Sequence, residues 1–60
     1  MVIQGIKYWS KRFWRYVWYT GRKHTETDGT VIYEFIDVCG AYCGIPARDL
    51  ENNSTYPVEL

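Results

Sequence analysis

The tightest constraint in the chain is Asp28-Gly29. It lies between Thr27 and Thr30 and runs directly into Val31-Ile32-Tyr33-Glu34-Phe35-Ile36-Asp37-Val38, a segment dense in β-branched and aromatic residues. Asp-Gly supplies the positive φ angles of a type I′ turn, whose twist suits two strands joined by a two-residue loop. The sequence therefore predicts a strand over about residues 30–39. A strand's backbone N–H and C=O groups need partners, and the segment before the turn, about residues 12–27, is the nearest supplier. With a two-residue loop, Thr27 faces Thr30, Lys23 faces Glu34, Tyr19 faces Val38 and Trp18 faces Cys39. A cation then opposes a carboxylate, and apolar groups oppose each other.

Side chains alternate along strands, so this register also divides the hairpin into two faces. Val17, Tyr19, Ile32, Ile36 and Val38 form the expected core face. Trp14, Tyr16, Trp18, Arg22, His24, Tyr33 and Phe35 form the other, which is the candidate contact face.

The stretch Lys7–Lys23 holds seven of the eleven aromatic residues, all three tryptophans and six of the seven Lys/Arg residues. Ile3, Ile6, Trp9, Phe13 and Val17 recur at helical spacing, with Lys11, Arg12 and Arg15 opposite, so an N-terminal amphipathic helix is the alternative to a strand. Against the helix, no Ala, Leu or Glu occurs from Val2 to Thr20, and Phe13–Trp18 is dominated by aromatics. The reading is a mainly β domain, with a small α+β arrangement as its variant. A central antiparallel hairpin (about residues 12–27 and 30–39) is joined by a third strand over residues 2–9 through a turn at Ser10-Lys11. After Cys39, Gly40 and Gly44 break the pattern, and Pro46 opens a short helix through Leu50. A loop over residues 51–55 leads to a short edge segment, Tyr56–Leu60, so the C-terminal part is an irregular or helical cover.

Sixty residues make one domain, and a domain this small buries only about 60% of the surface its unfolded chain exposes. Dense aromatic packing is one remedy for that shortage. Net charge is zero, with seven residues of each sign, which argues against binding polyanions through bulk charge. The distribution is uneven: the six cations of residues 1–24 face no acid in that half, and Arg48 is the only Lys/Arg of residues 25–60. The two halves are expected either to neutralise each other across the fold or to leave one basic face. No secretion signal or membrane-length apolar run is present, so the chain is expected to be soluble and intracellular, in the cytoplasm.

Cys39 and Cys43, with the single His24, are too few for a recognisable zinc site, and an intracellular setting disfavours a disulfide. Two small buried thiols are the expectation. His24 falls beside Thr25, Glu26, Thr27 and Asp28 as a solvated hairpin residue rather than part of a catalytic constellation. The glycines are scattered and form no phosphate loop. The sequence therefore predicts no enzyme, no cofactor and no metal.

What remains is the aromatic and basic face. Its residue types, Trp, Tyr and Arg, are those that dominate protein interface hot spots. The expected function is a non-enzymatic binding protein that occupies a surface of a larger macromolecule, most readily a protein or protein assembly. Small inhibitors or accessory factors from viruses and mobile elements are often this size. The expected contact residues are Trp14, Tyr16, Trp18, Arg22, Tyr33 and Phe35, flanked by Arg12, Arg15 and Lys23. The alternative is a single-stranded nucleic-acid or RNA-binding module that uses Lys7, Lys11, Arg12, Arg15, Arg22 and Lys23 with the tryptophans on the same basic aromatic sheet face. A membrane-surface peptide requires the helical reading, and self-association is a further outcome open to an aromatic face.

Overall fold

A computed structural model describes residues 2–58. The chain forms β1 (Lys7–Ser10), β2 (Arg15–Thr25), β3 (Val31–Asp37), β4 (Tyr42–Pro46), the one-turn helix α1 (Ala47–Glu51) and β5 (Thr55–Pro57). All pairings are antiparallel within one sheet of order β4-β3-β2-β1-β5. Four strands make a meander, and the fifth returns beside the first. The expected mainly β domain with a central hairpin and an N-terminal strand is the observed fold, but the first strand is Lys7–Ser10 rather than residues 2–9, and the turn expected at Ser10-Lys11 falls at residues 11–14. The helical alternative does not form, because β2 is claimed on both sides by β1 and β3. β4 was not foreseen, since Gly40 and Gly44 hid it. Of the expected edge segment Tyr56–Leu60, Tyr56 and Pro57 join Thr55, expected in the loop, to form β5, and its last two residues, Glu59 and Leu60, lie outside the described residues.

The central turn is one residue wider than Asp-Gly implies. Glu26 N–H donates to Thr30 O (2.8 Å) and Gly29 N–H to Glu26 O (3.0 Å), so Thr27, Asp28 and Gly29 together span the loop. Gly29 takes φ +91°, the positive-φ position that ends a three-residue hairpin loop. The Asp28 carboxylate accepts the Thr30 N–H at 2.9 Å. Thr25 therefore pairs with Val31 and Lys23 with Tyr33 rather than Glu34. A one-residue change of register sends every side chain of the strand to the opposite face.

A second irregularity lies farther along, where Thr20, Gly21 and Arg22 oppose Glu34 alone before pairing resumes at Tyr19↔Phe35, Trp18↔Ile36 and Val17↔Asp37. Two extra residues preserve alternation, so β2 keeps its faces through the bulge. Gly21 has φ +96°, and a Cβ there would lie 2.9 Å from Gln4 Oε1. The Gln4 amide fills that space and donates to Thr20 O at 3.1 Å.

These two features correct the face assignment of β3. Phe35 is fully buried and Tyr33 packs beside it, whereas Ile32 and Ile36 turn to the opposite face and Val38 is 84% exposed in the β3–β4 turn. The core is Tyr8, Val17, Phe35, Cys43 and Ile45, with Val2, Ile6, Phe13, Tyr19, Tyr33 and Leu50 packed around it. Tyr8 and Tyr19 approach Phe35 with ring centroids at 5.4 and 5.5 Å. Such offset aromatic pairs add about 0.5–1.5 kcal/mol beyond burial. The Tyr8 hydroxyl accepts the Ile3 N–H at 2.9 Å, which satisfies a buried polar tip and fixes the N-terminal segment against the core.

α1 starts at Ala47, directly after Pro46, whose fixed φ of −68° suits a helix entrance. The helix touches β3 and both edge strands, β4 and β5, so the sheet curls around the face that α1 covers. Buried Asp49 on α1 receives Arg12 from the β1–β2 turn through two bonds, Nε to Oδ2 at 2.6 Å and Nη2 to Oδ1 at 3.0 Å. No helix or strand among the described residues lies over the other face.

Candidate partner-binding face

The uncovered face is built from cross-strand rows. In one, Tyr56 of β5 stands beside Trp9 of β1, and Trp9 beside Tyr16 of β2. In the next, Lys7, Trp18, Ile36 and Tyr42 cross from β1 to β4. Glu34 and Gly44 follow, then His24 and Ile32. Burial alternates cleanly along β1, where Tyr8 and Ser10 are buried and Lys7 and Trp9 half-buried. Trp9 is the hub: its ring meets Tyr16 at 4.8 Å and 69°, and Trp14 at 5.3 Å and 72°, both edge-to-face. Lys7 Nζ lies 4.9 Å from the Tyr16 ring centre and Lys11 Nζ 5.9 Å from that of Tyr56, within cation–π reach.

Trp14 is held in place by the β1–β2 turn. Its N–H donates to Ser10 O at 2.8 Å, and the Phe13 N–H donates to Ser10 Oγ at 3.2 Å. Closing this turn puts Trp14 at φ +57°. That region is uncommon outside glycine, asparagine and aspartate, and a bulky residue there carries strain of order 1 kcal/mol. The side chain remains 73% exposed. A strained position that glycine would fill more easily instead carries an exposed indole.

Of the residues expected at a contact face, Trp14, Tyr16 and Trp18 do share the uncovered face, and Arg22 is exposed at the bulge. Phe35 and Tyr33 belong to the covered face and leave the set for the register reason given above. Arg12 is committed to Asp49, and Arg15 Nη1 donates to buried Asp37 at 2.7 Å. Lys23 sits over the Tyr33 ring, 5.9 Å from its centre. The halves of the chain thus neutralise each other at two points and leave Lys7 and Lys11 beside the open aromatics. The expected protein-contact set lacked Trp9, Tyr42 and Tyr56, and it lacked Lys7 and Lys11, which the sequence assigned only to the nucleic-acid alternative. The signal for Trp9 was available in parity: with Ser10 facing Arg15, odd residues of β1 join even residues of β2.

Asp37 organises the β3–β4 turn from the covered side. Its Oδ1 accepts the N–H groups of Cys39 and Ala41, both at 2.9 Å, and its Oδ2 takes Arg15. The Ala41 amide, then Arg15, hold its carboxyl below the usual carboxylate range. Arg12 is raised by its bond to Asp49 and by that carboxylate's charge. Both cysteines are free, but only Cys43 is buried as expected; Cys39 is exposed in the β3–β4 turn. Burial pushes the Cys43 thiol up, away from the thiolate a nucleophile needs. Among the described residues no three His, Cys, Asp or Glu side chains gather as a metal site, and no helix is long and apolar enough to cross a membrane.

Two concavities stand out among the described residues. A shallow, mostly polar groove of about 560 Å³ runs between the β2–β3 turn and α1, lined in part by Arg12, Glu26, Asp28 and Arg48. A smaller cleft of about 210 Å³ lies on the open face, around Gly44. No protein-family model matches this chain, and no curated protein or solved structure matches it.

Proposed function

We propose that this is a non-enzymatic binding protein that docks the open face of its sheet, centred on Trp9, Trp14, Tyr16 and Trp18, onto an acidic-rimmed apolar surface of a larger protein. It acts by occupancy, as a small inhibitor or accessory factor. The observation that carries the reading is Trp14, an indole kept exposed at a strained backbone position beside Trp9. Trp and Tyr are the residues that most often dominate binding energy at interfaces. Lys7 and Lys11 favour acidic groups around the rim. A standard interface takes about 800 Å² from each partner, about a fifth of this molecule's 4184 Å² surface, which is what one sheet face can supply.

Charge favours the protein partner over the nucleic-acid alternative. With Arg12 and Arg15 paired to Asp49 and Asp37, Lys7, Lys11 and Arg22 are the cations left to follow a phosphate backbone on this side. About three phosphate contacts on a single strand give a salt slope near −2, a small electrostatic term for a domain of zero net charge.

The test is affinity capture from the native host with the wild-type protein and Trp9→Ala and Trp18→Ala variants, using Lys23→Ala on the covered side as the control. Capture of one acidic-surfaced protein, lost in both tryptophan variants and kept in the control, is the expected result. A parallel titration with fluorescent oligonucleotides at two salt concentrations is expected to show no specific binding. Tight, salt-sensitive oligonucleotide binding that quenches tryptophan overturns the protein-partner reading.

A further inference from the structure

The cleft at Gly44 sits at the opposite end of the open face from Trp14, on strands β2, β3 and β4. Its walls are His24, Ile32, Glu34 and Tyr42, together with Cys43 and Gly44. The sheet explains why a hollow exists there. Gly44 is the cross-strand neighbour of Glu34, between the Ile36–Tyr42 and Ile32–Pro46 pairs, so the row that elsewhere carries a side chain carries none on β4. A Cβ at Gly44 would meet Ile32 Cγ2 at 3.0 Å, so the gap is closed to a larger residue without displacing Ile32.

The floor of this hollow is a positioned carboxylate. Glu34 Oε1 accepts the Thr20 hydroxyl at 2.9 Å, which fixes the side chain from the bulge of β2. Its other oxygen accepts no hydrogen bond from the described residues and is not a sealed buried atom, so it is open to a donor entering the cleft. No cation among the described residues lies within ion-pair distance of Glu34, even though Arg22 is in the adjacent bulge and His24 lines the wall, His24 being turned to Glu26 at 3.3 Å. Tyr42 lines the cleft and is 67% exposed, so its ring is accessible to an incoming group. At about 210 Å³ the cleft is smaller than the ~300 Å³ at which small-molecule pockets begin. It is the size of a single side chain.

An apolar notch, one anchored carboxylate with a free oxygen and an exposed aromatic wall are complementary to a long side chain with a cationic head. The stem packs on Ile32, the head bonds Glu34, and the ring of Tyr42 contributes a cation–π contact. The geometry points to the Gly44 cleft as a receptor for an arginine side chain presented by the docked partner. Arginine suits it better than lysine, because a planar guanidinium can bond a carboxylate and lie against a tyrosine face together. This extends the docking surface from the Trp9 cluster to β4 and gives its occupant a second chemical mark: acidic groups near Lys7 and Lys11, an arginine near Tyr42. That the side chain comes from a protein rests on the function proposed above; the cleft's preference for the guanidinium does not.

The experiment therefore uses the side chain alone. The isotope-labelled full chain is titrated with Nα-acetyl-arginine methylamide and, separately, with the citrulline analogue, which is nearly isosteric and neutral, while amide shifts are followed by NMR. Expected are saturable shifts at Glu34, Tyr42, Gly44 and His24, with citrulline binding at least about tenfold more weakly, since a charge-assisted bond is lost. Glu34→Gln, which keeps an acceptor for Thr20, is expected to abolish the difference between the two ligands. Tyr42→Leu, at an exposed position that leaves the fold unburdened, is expected to weaken arginine binding several-fold and serves if the Glu34 variant does not fold. Equal shifts with both analogues, or shifts centred instead on Glu26 and Asp28, overturn the inference. An unchanged arginine affinity in either folded variant does the same. Arginine binding without any captured protein partner counts against the docking function instead, and a captured partner without arginine binding counts against the cleft.

Discussion

The two faces of the sheet are made of much the same residue types, yet one is sealed and the other is open. Tyr8 is 2% exposed, while Tyr16, on a neighbouring strand, is 48% exposed. What separates them is the path of the chain. β4 and β5 are the opposite edges of the sheet, so the link between them must cross one face, and α1 crosses over Phe35 and Ile45. The N-terminal segment, held by Tyr8 and Gln4, adds cover to that same side. Among the described residues there is no second crossing. Aromatic content therefore cannot distinguish core from contact surface here, whereas the direction of a single crossover can.

The largest expected effect separates the faces by stability. Phe35→Ala removes a fully buried ring that Tyr8 and Tyr19 pack against and is expected to cost about 3–5 kcal/mol. Domains of this size draw about 3–5 kcal/mol from their whole core, so this variant should be unfolded at 25 °C. Tyr16→Ala is expected to cost under about 1 kcal/mol, because the ring is already half in water and loses mainly its contact with Trp9. Urea denaturation followed by tryptophan fluorescence checks both: Phe35→Ala should show no folded baseline, and Tyr16→Ala a midpoint close to the wild type. Comparable losses in the two variants would mean that the open face is not free.

That pair of substitutions also marks where the sequence stopped being legible. The hairpin, the N-terminal strand and the Pro46 helix were readable because Asp-Gly, aromatic and β-branched runs, and Pro act locally. The faces were not readable beyond β2, since they hang on one hydrogen bond. Glu26 pairing with Thr30 makes the loop three residues wide and turns Phe35 inward and Ile36 outward. Nothing in Thr27-Asp28-Gly29 distinguishes that loop from the two-residue form. Tyr19 and Val17 were placed correctly because the bulge at Thr20–Arg22 adds an even number of residues. For the site, Tyr16 and Trp18 stayed together because they lie on β2, the strand that set the register, and Trp14 joined them from the adjoining β1–β2 turn. Tyr42 was missed because Gly40 and Gly44 hid β4, and Tyr56, although expected in an edge segment, had no register to place it beside Trp9.

The next effect concerns how the closed side holds its charge. Asp37 and Asp28 both have folded pKa values lowered from the ordinary carboxylate value, Asp37 first by the Ala41 amide and then Arg15, Asp28 by the Thr30 amide. A lowered folded value means that the unfolded chain takes up the proton first. The stabilisation is thus complete above about pH 4 and is lost as pH falls through the folded values. Denaturation midpoints are expected to be level from pH 5 to 7 and to fall below pH 4. Asp37→Asn, which keeps an acceptor for the Cys39 and Ala41 amides but loses the Arg15 pair, should start lower at pH 7 and lose less on acidification. The remaining slope belongs partly to Asp28. A variant curve parallel to the wild type below pH 4 would remove Asp37 as the source.

The smallest expected change in stability is the one that most sharpens the contrast between the faces. Trp14→Gly releases a positive-φ backbone from its side chain, a gain of order 1 kcal/mol where glycine suits the conformation. It also deletes the edge contact with Trp9, a loss of about 0.5–1.5 kcal/mol. The two nearly cancel, so the urea midpoint should move by less than about 1 kcal/mol equivalent. Binding to the captured partner should fall by about 30-fold, the 2 kcal/mol typical of an interface hot spot. On the covered face a tryptophan-sized deletion cannot be silent in folding, because buried volume is lost. A Trp14→Gly protein that is as stable as the wild type and has lost its partner locates the indole's value outside the fold. One that is clearly less stable and still binds makes Trp14 a packing residue, and the open face then loses its anchor.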